Sequence, residues 1–189
     1  MPADAGSDTT FRHAQRYIAA RVTEALDRLE PGAVATAVEL IAHAPATFVY
    51  GAGRSGIIGR AFAMRLVQLG LAAYVIGESV TPIVRRGDAV FILSGRGESS
   101  SSIQTANIVR REGADLIVFT GRASSKLAHI ATALLTLDFP EDADRPRFAP
   151  LGTLFEAASL QLTDALIAEL LRVRGESEDS MRRRHAIMV

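Results

Sequence analysis

The chain has 189 residues, of which 48% are hydrophobic, and its 21 basic and 21 acidic residues leave no net charge. This length and composition predict one globular domain with a sizeable core, and the balanced charge gives no electrostatic case for a nucleic-acid or membrane-surface partner. The lack of cysteine excludes disulfides and thiolate catalysis, and the four histidines show no ligand spacing, so no metal site is predicted.

The N-terminal part of the chain predicts two helices within a single domain that spans residues 11–189. Residues 1–10 are mostly small and polar, and we expect them to be disordered. Apolar residues then recur at helical spacing, with a break at Pro31-Gly32, so that two helices are predicted over residues 11–44. The N-terminus is not signal-like, and no run of about 18 apolar residues occurs. We therefore expect a cytoplasmic protein.

A glycine-rich turn, residues 51–56, joins the apolar run 47–50 to an amphipathic helical pattern. Glycine lets the backbone approach a ligand closely, and the free N–H groups at a helix start favour an anion. The turn therefore predicts a phosphate site, with Gly53, Arg54 and Ser55 as candidate ligand residues. Two alternatives stay open for this turn alone: a purely structural turn, and the dinucleotide fingerprint G-x-G-x-x-G.

A second stretch, Ser-Gly-Arg-Gly-Glu-Ser at residues 94–99, repeats this arrangement after the apolar run 89–93. A dinucleotide domain needs one such loop, whereas two serine-containing loops suit a small phosphorylated ligand that is held from two sides. The backbone N–H groups of this stretch are expected to contribute as well. Its candidate ligand residues are Ser94, Gly95, Arg96, Gly97, Glu98 and Ser99.

Strand and helix patterns alternate through residues 45–140. Predicted strands lie at 47–51, 72–76, 88–94, 115–120 and 133–138, and predicted helices at 56–69, 99–112 and 124–130. Several strands are continuously apolar, which is typical of parallel strands covered on both faces. The pattern predicts a three-layer α-β-α sandwich around a five-stranded parallel sheet, flanked by N- and C-terminal helices. Both glycine loops leave carboxyl ends of strands, so they share a site if their strands are neighbours.

The C-terminal part, residues 152–185, predicts helices again. Residues 140–150 are rich in proline and charge and are predicted to form a loop, either a simple connector or a lining of the site entrance. A long helix over 154–174 is apolar around most of its circumference, and such a helix needs cover on more than one side. Contacts between subunits would supply that cover, so an oligomer is predicted. A last short helix, 177–184, leads to His185.

Four motifs carry a resemblance to a known family. They are Gly-Ala-Gly-Arg-Ser-Gly-x-x-Gly-Arg-x-Phe-Ala-Met-Arg-Leu at residues 51–66, Gly77-Glu78-x-x-Thr81-Pro82, Leu151-Gly152-Thr153-x-Phe155-Glu156 and Arg184-His185. Together they resemble the 6-phospho-3-hexuloisomerase family, whose members have the SIS (sugar isomerase) domain. The resemblance covers nearly all of the chain from about residue 15 onward.

The resemblance implies a flavodoxin-like, doubly wound SIS domain and an isomerase of the sugar-phosphate class. Its substrates would be D-arabino-3-hexulose 6-phosphate and D-fructose 6-phosphate, interconverted by proton transfer through an enediolate. No cofactor is expected, because hydrogen-bond donors can stabilise the charge of an enediolate. The resemblance also implies service in formaldehyde fixation by the ribulose monophosphate pathway, and a homotetramer in which a neighbouring subunit completes the active site.

Two residues are candidates for the chemistry. Glu156 matches the glutamate that related isomerases are taken to use as the base, and a carboxylate in a partly dry site suits proton transfer. The pattern Thr153-x-x-Glu156 is also a capping box, so from the residues alone a structural role stays open. His185 matches a histidine of the family's tail, and the resemblance implies that it reaches an active site, that of a neighbouring subunit, to move protons or open the sugar ring.

Arg96 departs from the family pattern, which usually has Ser-Gly-Ser-Gly where this chain has Ser94-Gly95-Arg96-Gly97. Its guanidinium could point to solvent, grip the phosphate more strongly, or mark a different substrate. Other functions therefore stay open: another isomerase of the same fold acting on arabinose 5-phosphate or a heptose phosphate, or a non-catalytic regulator that binds a sugar phosphate. A dinucleotide-binding module is disfavoured by the second loop.

Overall fold

The computed structural model describes residues 5–187, with side chains from residue 9 onward. Five segments are strands: β1 (Thr47–Gly51), β2 (Ala73–Val75), β3 (Ala89–Leu93), β4 (Asp115–Thr120) and β5 (Ala133–Thr136). They form one sheet in the order β2-β1-β3-β4-β5, and every neighbouring pair is parallel. The predicted five-stranded parallel sheet is confirmed, and the strand order is that of a flavodoxin-like, doubly wound fold.

Eight helices surround the sheet within the described residues. They are α1 (Ala5–Leu26), α2 (Pro31–His43), α3 (Arg54–Gln68), α4 (Ser100–Glu112), α5 (Lys126–Ile130), α6 (Arg145–Phe148), α7 (Thr153–Arg174) and α8 (Glu178–Arg183). None of them is both long enough and apolar enough to cross a membrane.

The central strand β3 shows why the sheet has a helical layer on each face. Successive side chains of a strand point to opposite faces, and Val90 and Phe91 are both fully buried. Phe91 belongs to a core cluster with residues of α2, α3 and α7. Val90 belongs to a second cluster with residues of α4 and α5. The predicted three-layer α-β-α sandwich is therefore confirmed.

Two element predictions need correction. The helix α1 begins at Ala5, so the described residues 5–10, which we expected to be disordered, are helical. No proline lies between residues 3 and 30 to interrupt the helical hydrogen bonds. The predicted loop 140–150 contains the short helix α6, in which Pro146 stands in the first turn, where a missing N–H has no helical partner to lose.

The long helix α7 is covered largely by its own chain. It packs against α1, α2 and α3, and nine of its residues, including Leu162 and Leu166, are buried. The apolar surface of α7 that led us to predict an oligomer is thus mostly buried within one chain. Leu160 and Val173 remain about half exposed, and the oligomer stays a prediction.

The turn between β1 and α3 is too tight for side chains at two of its glycines. A Cβ atom on Gly56 would lie 2.5 Å from the carbonyl oxygen of Gly51, and one on Gly51 would lie 2.7 Å from the carbonyl carbon of Ser55. Of the three glycines of this turn, only Gly53 has a positive φ, of +59°. Gly51 and Gly56 therefore allow the backbone at the end of β1 to pack closely against the backbone at the start of α3.

We expect Gly56→Ala to lower the free energy of unfolding by about 1–3 kcal/mol, because the added methyl group meets rigid backbone rather than a side chain that can move. Urea-induced unfolding measures the change. Gly32→Ala is the matched control, since Gly32 lies in the first turn of α2 with no atom within 4 Å of its added Cβ. That control should keep or raise stability, and an equal loss in both variants would contradict the packing argument.

Candidate active site

The two glycine loops leave neighbouring strands at the same edge of the sheet. β1 and β3 pair directly, with Gly51 opposite Leu93, so the loops that follow them start side by side. The strand order reverses between β1 and β3, which is the switch point where ligands bind in open α/β sheets. The condition for a shared site, neighbouring strands, is therefore met.

Both loops border a cleft with a volume of about 1220 Å³. Its wall contains six of the candidate residues from the sequence: Ser55, Ser94, Gly95, Arg96, Ser99 and Glu156. The connector between β5 and α7 contributes Asp138, Phe139 and Glu141, so this segment lines the site entrance. Gly53, Arg54, Gly97, Glu98 and His185 are not part of this wall, and each is accounted for below.

The first loop presents a free serine side chain at the start of α3. Gly53 is the N-cap residue of this helix, and its carbonyl oxygen accepts the N–H groups of Gly56 (3.0 Å) and Ile57 (3.3 Å). Ser55 is half-buried in the cleft wall and forms no cap. Among the described residues no hydrogen-bond partner of the Ser55 hydroxyl group is found, so this group is left for a ligand.

The second loop is held by residues that face away from the cleft. Gly97 has φ of +64°, and a Cβ atom there would lie 2.1 Å from the hydroxyl oxygen of Ser125. The carboxylate of Glu98 accepts the N–H of Lys126 at the start of α5 (3.3 Å). Both residues thus fasten the loop to α5 rather than line the cleft. Ser99 is the N-cap residue of α4 and does line it.

A third loop, residues 121–124 after β4, belongs to the same wall, and we did not predict it. The N–H of Gly121 donates to the carbonyl oxygen of Gly95 (2.9 Å), which joins this loop to the second one. A signal was present in the sequence, because a Gly-Arg pair follows each of β1, β3 and β4.

Arg96 and Arg122, which follow the hydrogen-bonded pair Gly95 and Gly121, line the cleft. Neither forms an ion pair with another residue in the range 9–187, whereas Arg54 pairs with Glu156. Two guanidinium groups without an ion pair, in a cleft that the N-cap residue of α4 also lines, make the cleft suited to an anion.

Glu156 lies in the first turn of α7 with 15% of its side chain exposed. Its Oε2 atom is 2.8 Å from Nη1 of Arg54. A Cβ atom on Gly152 would lie 2.8 Å from Oε1, so a side chain there would displace the carboxylate. The carboxylate is thus mostly covered but reaches the cleft, where a proton could be exchanged with a ligand.

The capping-box alternative for Glu156 is wrong. Gly152, not Thr153, is the N-cap residue of α7. The hydroxyl group of Thr153 donates to the carbonyl oxygen of Pro150 (2.6 Å). Because a capping box requires its Ser or Thr at the N-cap, the Glu156 carboxylate is not engaged with the helix end.

The entrance connector is fastened to α1. The hydroxyl group of Tyr17 donates to both carboxylate oxygens of Asp142 (3.0 and 2.9 Å), and Nη2 of Arg21 donates to the carbonyl oxygen of Pro140 (2.7 Å). Burial, together with the contact to the Asp142 carboxylate, raises the pKa of Tyr17. These contacts fix the cleft-lining segment against the N-terminal helix.

His185 lies far from this chain's own cleft. The preceding Arg184 packs on Gly70, beyond the C-terminal end of α3, and α3 is about 22 Å long. The His185 ring is exposed, with Nδ1 2.9 Å from the carbonyl oxygen of Ala186. The structure therefore does not bring His185 and Glu156 together within one chain, and a role in a neighbouring subunit stays a prediction.

Comparison with known proteins gives one family. The family model of the SIS domain matches residues 40–166. The 3-hexulose-6-phosphate isomerase of Methylomonas aminofaciens is 33% identical over 175 residues, which are 91% of this chain and 96% of the relative. The 3-hexulose-6-phosphate isomerase of Bacillus subtilis is 34% identical over 143 residues, 74% of this chain and 77% of the relative.

A similar solved structure is that of a Methanococcus jannaschii protein for which the function of a 3-hexulose-6-phosphate isomerase has been inferred. It is 28% identical to this chain, with a TM-score of 0.77, and the match covers 84% of this chain and 86% of the other.

We expect Arg96→Ala and Arg122→Ala each to weaken the binding of inorganic phosphate by about 10-fold, because each removes a charge-assisted hydrogen bond worth about 1.5 kcal/mol. The phosphate-dependent rise in melting temperature measures the affinity. Arg110→Ala is the control, since Arg110 is exposed in the last turn of α4 and lies outside the cleft wall. Unchanged affinity in Arg96→Ala would mean that this side chain points to solvent.

The ion pair between Glu176 and Arg184, which holds the tail before His185, predicts that the stability of the protein depends on pH. Hydrogen bonds from Arg184 (3.0 and 3.1 Å), with one from Ser180, lower the pKa of Glu176 from 4.5 to about 2. A lowered folded-state pKa adds stability above the ordinary pKa, and this contribution is lost as the pH falls from about 4.5 toward 2.

The parent protein should therefore be more stable than Glu176→Gln at neutral pH, and this difference should shrink as the pH falls through 4. Urea unfolding of both proteins between about pH 6 and pH 3 measures it. A difference that stays constant over this range would show that the ion pair with Arg184 does not act as described.

Proposed function

The chain belongs to the SIS domain family and, within it, to the 6-phospho-3-hexuloisomerase family, and we propose that it is a sugar-phosphate isomerase that interconverts D-arabino-3-hexulose 6-phosphate and D-fructose 6-phosphate. The observation that carries the proposal is one cleft with a mostly covered carboxylate, Glu156, and two serine-containing glycine loops. The names of the relatives from Methylomonas aminofaciens and Bacillus subtilis support the choice of substrate.

The phosphate group would bind where the second loop meets the N-terminus of α4. Ser94 and Ser99 offer hydroxyl groups there, and the helix start offers partial positive charge. Ser55 would contribute from the first loop. Arg96, with Arg122, would add full positive charge on the same side, which suits a phosphate dianion.

Glu156 would be the base. In the direction of fructose 6-phosphate it removes the proton from C2 of the hexulose, and an enediolate forms over C2 and C3. The same proton, or one from solvent, is delivered to C3 while the proton on O2 moves to O3, so that atoms and electrons balance and no redox partner is required. A carboxylate that is largely shielded from water suits both steps.

His185 would act from a neighbouring subunit of a homotetramer, because its own chain holds it far from the cleft. Its imidazole would move the proton between the substrate oxygens or assist ring opening. The wider role would be in formaldehyde fixation or pentose-phosphate supply. The chemistry described for Glu156 needs no cofactor.

The test is turnover of D-arabino-3-hexulose 6-phosphate, measured as fructose 6-phosphate formed by the parent protein and by Glu156→Gln. We expect kcat to fall by about 1,000-fold or more in the variant, because glutamine cannot accept a proton. The control is Glu169→Gln, which alters another glutamate of α7 that forms an ion pair, here with Arg172 at 2.6 Å.

That control should keep the parent kcat within about 2-fold, as expected for a surface ion pair. Full turnover by Glu156→Gln would disprove its role as the base. A parent protein that binds fructose 6-phosphate without turnover would favour a sugar-phosphate-binding regulator. Turnover of arabinose 5-phosphate or a heptose phosphate instead would identify a different isomerase of this fold.

A further inference from the structure

The contact between Arg54 and Glu156 does not fit the role predicted for Arg54. We expected Arg54 to bind substrate or phosphate, but its guanidinium approaches the carboxylate, with Nη1 2.8 Å from Oε2. Among residues 9–187 Glu156 is its one charged partner, and Arg54 is not part of the cleft wall. Arg96 and Arg122 line the cleft instead.

A second ion pair of α3 shows what distinguishes this contact. Arg60 pairs with Glu78 at 2.7 Å, and the exposures of the two arginines are nearly equal, 66% for Arg54 and 67% for Arg60. The carboxylates differ, because Glu78 is 45% exposed and Glu156 only 15%. The pair of Arg60 is an ordinary surface ion pair, whereas Arg54 reaches a carboxylate that protein mostly covers.

The two oxygens of the Glu156 carboxylate are therefore not equivalent. Oε2 is buried under Arg54, and within residues 9–187 it accepts no hydrogen bond of regular geometry. Oε1 lies above Gly152, a residue of the cleft wall, where an added Cβ would be 2.8 Å away. The oxygen that is left to meet a ligand is Oε1.

We infer that Arg54 is a positioning residue for the base: it holds Oε2 of Glu156 so that Oε1 faces the carbon-bound proton. This inference rests on the proposed function and adds to it. The ion pair through Oε2 restricts rotation of the carboxylate about its last side-chain bond. Losing such a restraint costs about 100-fold in rate when the reacting atoms move by about 1 Å. Binding of the phosphate group, at Arg96 and Arg122, is independent of this restraint.

The experiment compares Arg54→Ala with Arg60→Ala, a matched removal of a paired arginine from the same helix. We expect kcat of Arg54→Ala to fall by about 100-fold, while KM and competitive inhibition by inorganic phosphate change by less than about 3-fold. Arg60→Ala should keep both parameters near parent values. Equal melting temperatures of the two variants show that the loss is not one of folding.

Two further measurements separate positioning from a structural effect. Arg54→Lys keeps the charge without the planar guanidinium and should recover part of kcat. Low concentrations of guanidinium ion should raise kcat of Arg54→Ala and leave Arg60→Ala unchanged.

Three outcomes would overturn the inference. If Arg54→Ala keeps the parent kcat, Arg54 does not position the base, and the proposed function stands. If instead phosphate inhibition weakens as expected for Arg96→Ala, Arg54 is a phosphate ligand. If the parent protein shows no turnover of hexulose 6-phosphate, the proposed function fails, and the assignment of Arg54 fails with it.

Discussion

The parallel pairing of β1, β3 and β4 is the constraint on which the site depends. Its register sets Gly51, Leu93 and Phe119 side by side, so three loops distant in sequence begin at one edge of the sheet. Contact between the backbones of Gly51 and Gly56 then fixes the direction in which α3 leaves this edge. Each of these loops supplies part of the charge and of the hydrogen-bonding groups that the cleft offers an anion.

The same arrangement of strands gives three arginines different surroundings. A Gly-Arg pair follows each of the three strands, yet the three arginines have different partners. Arg54 meets a carboxylate, whereas Arg96 and Arg122 remain without one among the described residues. The cleft therefore offers a ligand both positive charge and a carboxylate, and this combination suits a phosphorylated ligand that undergoes proton transfer.

The remaining helices determine which parts of the chain are fixed and which are free to meet another molecule. α7 is covered by α1, α2 and α3, and the connector at the cleft entrance is bound to α1 through Tyr17 and Arg21. The tail is held by Arg184, which Glu176 binds through two hydrogen bonds, at the end of α3 remote from the cleft. His185 is thereby exposed at the surface, and its role in a neighbouring subunit stays a prediction.

The sequence by itself determined the layers of the fold, the strand bounds of β1 and β4, and six residues of the cleft wall, because continuous apolar runs and glycine-serine turns are local signals. It could not distinguish a capping residue from a base at Glu156, since both uses share one spacing. Only the tertiary structure excluded the capping box, by placing Gly152 at the N-cap and Arg54 beside the carboxylate, and the role of Glu156 as the base stays a prediction. Packing likewise decided three further features: the loop with Arg122, the positions of Glu98 and Arg54 outside the cleft wall, and the burial of α7 by other helices. These features depend on contacts between segments that are distant in sequence.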